Sequence, residues 1–180
     1  MEDEAKELRE RAEKAREDKS LAAVSLTMAV LAVLVAVVTL LGHRAHTEEV
    51  VLQAKSSDQW SYYQAKNIRQ HEDELFSDVA AIMNSNDAAG LTKFREKYGQ
   101  EAERYKKEKD DIQQDARNLE REVAVERNRA DRYDLSEVFL EIGLVISSIT
   151  LLSGRRFFWQ LGIFFSVIGI GVAIGAALIH

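Results

Sequence analysis

Three carboxylates stand out by type and spacing. Asp134, Glu137 and Glu141 lie three and four residues apart, so they share one helical face, and Ser148 continues that line further along the chain. Glu141 falls inside an otherwise apolar run, where an ionisable side chain is costly and usually faces protein or water. In a ring of subunits such residues would stack into acidic rings, the arrangement used at cation-channel mouths. The plainer reading is a shallow interfacial glutamate that snorkels to water, or is protonated, or pairs with Arg132 or with an arginine of a neighbouring copy.

A second group, His43, Arg44 and His46 followed by Glu49, sets two imidazoles and a carboxylate at helical spacing. Zinc accepts such ligands. A fourth ligand is not evident, and polar residues closing an apolar run account for the group, so no metal site is expected. His71 and His180 are isolated and receive no role. The chain has no nucleophile elbow, phosphate loop or dinucleotide fingerprint. Its lack of cysteine removes disulfides, thiolate catalysis and thiolate metal sites. A net charge of −6 provides no general basic footprint for nucleic acid. Enzymatic activity, a cofactor, a nucleic-acid partner and a small-molecule substrate are therefore not expected.

The elements that position these residues are helices. The 180 residues include no proline, and 30% charged residues alternate in blocks with apolar ones rather than mixing with them. Long uninterrupted helices follow. After a charged tail at 1–19, residues 20–42 carry no charge at all, enough to span the ~30 Å hydrocarbon layer. The long charged segment before this run favours a retained signal-anchor over a cleaved signal peptide. Residues 134–153 are apolar apart from Glu137 and Glu141. Residues 154–156 form a tight turn, and 157–180 contain a further uncharged run entered by Phe157, Phe158 and Trp159, which suit an interfacial aromatic belt. Gly171 and Gly175 make a small-xxx-small pair for close helix approach, with Gly162, Ser166 and Gly169 on nearby turns. The expected fold is thus all-α: three transmembrane helices, with the extramembrane region 43–133 between the first and second.

That region has one cluster of breakers, Asn84 to Gly90, which divides it into two nearly equal halves. A long antiparallel helical hairpin, reaching roughly 60 Å at 1.5 Å per residue, is the expectation. Helices are placed near 20–42, 44–84, 91–153 and 157–179. In the second half, positions three and four apart from Tyr98 to Glu137 are apolar or aromatic at nine of twelve places, a coiled-coil-like seam. In the first half a weaker seam runs through Val51, Ala54, Asp58, Ser61, Ala65, Ile68, Glu72, Leu75, Val79 and Ile82. On that seam Trp60 and Tyr63 fall on the outer face and Tyr62 at its edge, so another copy of the chain is expected to cover them. Lysines and arginines number eight on the side of the tail and the tight turn, against seven on the opposite flanks. This leans towards a cytoplasmic N-terminus with the hairpin on the outer side.

The run SDQWSYYQAKNIRQH after the first span, and LEIGLVISSITLLSGRRFFW before the last, resemble an uncharacterised bacterial membrane family, domain of unknown function 4337. The resemblance covers roughly residues 20–180. It implies a multi-pass protein of the bacterial inner (cytoplasmic) membrane and carries over no catalytic residue. Two function classes remain: a homo-oligomeric, membrane-anchored structural or interaction protein, and a cation channel or transport component with an acidic ring from the second span. Trp60, Tyr62, Tyr63, Gly171 and Gly175 are the expected oligomer contacts. Asp134, Glu137, Glu141 and Ser148 are the possible ion path.

Overall fold

A computed structural model of the chain describes residues 2–83 and 87–179, with side chains from Leu21 onward. It is all-helical: α1 (Glu2–Ile82), α2 (Ala88–Ser153) and α3 (Arg156–Ala177), with no strand among the described residues. Each helix is long and apolar enough, by length and composition, to cross a membrane. Without proline no residue lacks the N–H that bonds four residues back, and nothing breaks that ladder outright. Accordingly α1 continues through Gly42 and His43, where the sequence suggested a boundary between two helices. The side chains of the charged tail lie outside the described residues.

The connections follow from local chemistry. Of the expected loop, Asn84, Ser85 and Asn86 lie outside the described residues. Asp87 caps α2: its Oδ1 accepts the Gly90 N–H at 2.9 Å, and its carbonyl takes the Leu91 N–H. That cap starts the helix at Ala88 rather than at 91. At the other end Gly154 turns to φ 66°, the left-handed conformation that glycine adopts freely, and its N–H reaches the Thr150 carbonyl at 2.9 Å. Arg155 completes the turn before α3.

The chain divides into two compact units, one made of 1–47 with 125–180 and the other of Glu48–Ala124. In the first, Leu31, Val38 and Ala45 of α1 form a buried cluster with Ala130, Tyr133 and Leu140 of α2 and Ala176 of α3. The α2–α3 contact is closest at its small residues. A Cβ added to Gly162 would lie 2.7 Å from the Gly143 carbonyl, and one on Gly143 would lie 2.8 Å from the Gly162 carbonyl. Ser136 Oγ donates to the Gly169 carbonyl at 2.7 Å.

In the second unit α2 buries the face its heptads mark: Ala102, Ile112, Ala116 and Val123 are buried. Helicity is unbroken from Tyr98 to Glu126. The α1 seam differs from the expected one. Its covered positions are Leu52, Ser56, Tyr63, Lys66, Gln70 and Ala80, whereas Val51, Ile68, Leu75, Val79 and Ile82 are exposed. The reason is visible in the spacing. Buried residues recur every seven positions at Val24, Leu31, Val38, Ala45 and Leu52, and Lys66 and Ala80 fall in the same register. Polar pairing with α2 then supports a face that is far from the most apolar one. Trp60 Nε1 donates to Glu120, Lys66 to Glu108 and Lys109 to Asn67, while Phe76 packs on Tyr98.

One of these pairs gives the unit a pH signature. Lys66 Nζ bonds Glu108 Oε2 at 2.5 Å and lies over the Tyr105 ring. The bond holds the Glu108 carboxyl below the ordinary carboxylate range and lifts Lys66 above 10.5. A depressed carboxylate stabilises the fold above its unfolded value, and that contribution disappears as pH falls through the folded value. A raised lysine contributes below its unfolded value and ceases to as pH rises through the folded one. Both contributions are complete at neutral pH. The Lys66→Met variant should therefore show a shallower fall in Tm than wild type as pH drops from neutral through the carboxylate range. Parallel Tm curves for the two proteins would contradict this.

Candidate functional site

The acidic row of α2 lies in the first unit, and α1 claims two of its three carboxylates. Asp134 Oδ2 is 3.0 Å from His46 Nε2, and Glu137 Oε1 is 2.6 Å from Thr39 Oγ1. The Thr39 hydroxyl is also 2.9 Å from the Val35 carbonyl, the usual acceptor one turn back. A hydroxyl has one proton and serves one acceptor at a time, so Thr39 sits between its own helix and the carboxylate of the next. Gly42 permits this approach: a Cβ there would meet Asp134 Oδ1 at 3.3 Å and Tyr133 Cβ at 3.4 Å.

Glu141, one turn beyond Glu137, is exposed. Ser148 donates to the Val145 carbonyl of its own helix at 2.7 Å and is half-buried. The four residues expected to form one path are therefore divided: Asp134 and Glu137 towards α1, Glu141 outward, and Ser148 bonded locally. His43 is exposed. Among the described residues no group of three histidines or acids is arranged to hold a metal ion.

The expected oligomer contacts separate in the same way. Trp60 and Tyr63 are half-buried and edge-on to each other, with ring centroids 5.5 Å apart, and Trp60 bonds Glu120 of α2. The sequence pattern puts both on the outer face; the shift of the α1 seam turns them inward. Tyr62, 50% exposed, is the member of the trio that faces out. A Cβ on Gly171 would meet nothing within 4 Å, and one on Gly175 would touch only Arg132 at 3.7 Å. The small residues that α3 uses against α2 are Gly162, Ser166 and Gly169, all buried. Their spacing of four and three, continued by Ala173 and Ala176, is the signal that identifies this face. On α2, sequence reasoning missed Ser136, Gly143, Ser147 and Thr150, which are buried at matching intervals.

Neither the comparison with curated proteins nor that with solved structures returns a match. The model of a domain of unknown function, DUF4337, matches residues 20–179. That match takes in the α1 aromatics, the acidic row of α2 and the glycines of α3, and on it the chain belongs to the DUF4337 family.

Proposed function

We propose that the chain is a multi-pass protein of the bacterial cytoplasmic membrane that assembles with copies of itself and serves as a structural or interaction scaffold, without enzymatic activity. One observation carries this reading: Asp134 and Glu137 are each hydrogen-bonded to α1 of their own chain, through His46 and Thr39. Carboxylates used in this way tie helices together in a setting where unpaired charge is expensive. Three spans, an N-terminus in the cytoplasm and the α1–α2 hairpin on the outer side complete the proposal, following the lysine and arginine distribution.

The exposed Glu141 favours a second reading, a cation channel or transport component in which this carboxylate from each copy lines a common axis. Glu141→Gln separates the two, because glutamine nearly preserves shape while removing one charge per subunit. On the scaffold reading, cation flux into reconstituted vesicles stays at the empty-vesicle level for both proteins, and both elute with the same stoichiometry. A wild-type flux that Glu141→Gln abolishes would establish the transport reading instead.

A further inference from the structure

The most apolar face of α1 in the second unit is the one its own chain leaves uncovered. Val51, Ala65, Ile68, Leu75, Val79 and Ile82 are all exposed, Ile82 to 84% and Leu75 to 61%. Together with Ala54, Asp58, Ser61 and Glu72 they mark alternating intervals of three and four residues, a heptad stripe running roughly 45 Å along the helix. Phe76 and Met83 border it at 47% and 55% exposure. Large side chains at such fractions expose on the order of 100 Å² each. The stripe therefore exceeds the few hundred Å² of an ordinary surface patch and approaches the ~800 Å² per partner of a standard interface.

We infer that this face of α1 joins two copies of the chain, helix to helix, in parallel and in register. The inference rests on the oligomeric reading above and names the surface that performs it. A stripe with a 3.5-residue period stays in contact only with another long helix of the same period, because the two must supercoil together. Each further copy brings such a helix, and copies inserted alike in one bilayer present it in the same direction. Parallel pairing also matches the flanks of the stripe. It sets Ser57, Gln64, His71 and Asp78 of one helix against Tyr62, Arg69, Phe76 and Met83 of the other, with no like charges opposed. Two acids, Asp58 and Glu72, do lie within the stripe, exposed in the single chain. In register each meets its own counterpart. A polar residue at such a position fixes register at the expense of stability.

That last feature gives the pairing a sign that no basic partner would share. Glu72→Gln removes a like-charge opposition and should raise the dimer fraction several-fold at a fixed protein-to-detergent ratio, whereas a partner offering a lysine or arginine to Glu72 would be weakened by it. The chain contains no cysteine, so single replacements report cleanly. Under mild oxidation the full-length Leu75→Cys and Ile82→Cys proteins should each form a disulfide-linked dimer, since disulfides need Cα atoms within about 7 Å. Lys107→Cys, on the exposed polar face of α2, should not. If wild type is oligomeric by light scattering but neither stripe cysteine cross-links, this face is wrong while the oligomeric reading stands. If wild type is a monomer and neither cross-links, both fall. Dimers from Leu75→Cys and Ile82→Cys that Glu72→Gln loosens would overturn the in-register arrangement.

Discussion

Gly162→Leu is expected to separate α3 from α2 and cause a loss of stability among the largest of any single change in the apolar helices. The distances leave no room for a side chain. A Cβ at residue 162 would lie 2.2 Å from Ser147 Oγ and 2.7 Å from the Gly143 carbonyl oxygen. The serine could rotate away; the carbonyl belongs to the backbone and could move only with its helix. Lipid tails are as apolar as leucine, so helices in a bilayer associate through close packing and interhelical hydrogen bonds. Moving α3 outward weakens both, including the Ser136 bond to the Gly169 carbonyl. Overpacking typically costs 1–3 kcal/mol where side chains can adjust, and here about 3 kcal/mol or more is expected because they cannot. Gly162→Ala should show the same effect in smaller measure. Gly171→Ala is the internal control, since nothing lies within 4 Å of its added Cβ. Unfolding in mixed micelles, followed by circular dichroism, would show the difference; equal stability of Gly162→Ala and Gly171→Ala would refute the argument.

Why some of this was legible in the sequence and some was not depends on contrast. The α2 seam could be read from spacing alone because charged or amide residues fill nearly every position between Ala102, Ile112, Ala116 and Val123, and the buried set falls where the heptads indicated. In the second unit α1 has two candidate faces with the opposite bias. The inward one carries Tyr63, Lys66 and Gln70, while the outward one carries Ile68, Leu75 and Ile82, so a search for the most apolar stripe selects the wrong side. What settles the choice is long-range pairing, Lys66 with Glu108 and Lys109 with Asn67 across 42 residues of sequence, and periodicity contains no trace of it. The tight turn was legible because glycine at Gly154 supplies the left-handed backbone that a close link requires. The acidic row was legible as a shared face, yet its division was not. Whether a carboxylate meets Thr39, meets His46 or points outward depends on how closely α1 approaches, and Gly42 governs that approach. In α3 the small residues are legible as a group, but the face that packs is the one carrying Gly162, Ser166 and Gly169, at intervals of four and three, and not the Gly171 and Gly175 pair.

Tyr133→Ala is expected to be nearly as damaging as the change at Gly162, for a different reason. Tyr133 is 2% exposed and is the largest fully buried side chain among the described residues. It belongs to the cluster that joins Val38 and Ala45 of α1 to Ala130 and Leu140 of α2. Its Cβ lies close to Gly42, where α1 offers no side chain that could move in to fill a vacated space. Removing a buried aromatic ring under such conditions costs roughly 3–5 kcal/mol, through lost contacts and the cavity left behind. The hydroxyl has a separate and smaller role. It faces Arg129, one turn earlier on α2, and is the first cause that raises the guanidinium above its ordinary value. Tyr133→Phe keeps the ring and loses only the hydroxyl, for which about 1 kcal/mol is expected. The two variants therefore divide packing from hydrogen bonding at a single position. Chemical unfolding of the full-length protein should rank wild type above Tyr133→Phe by a small step and Tyr133→Phe above Tyr133→Ala by a large one. Equal losses would mean that the hydroxyl, and not the ring, carries what Tyr133 contributes beside Gly42, and the packing account of this unit would then have to give way.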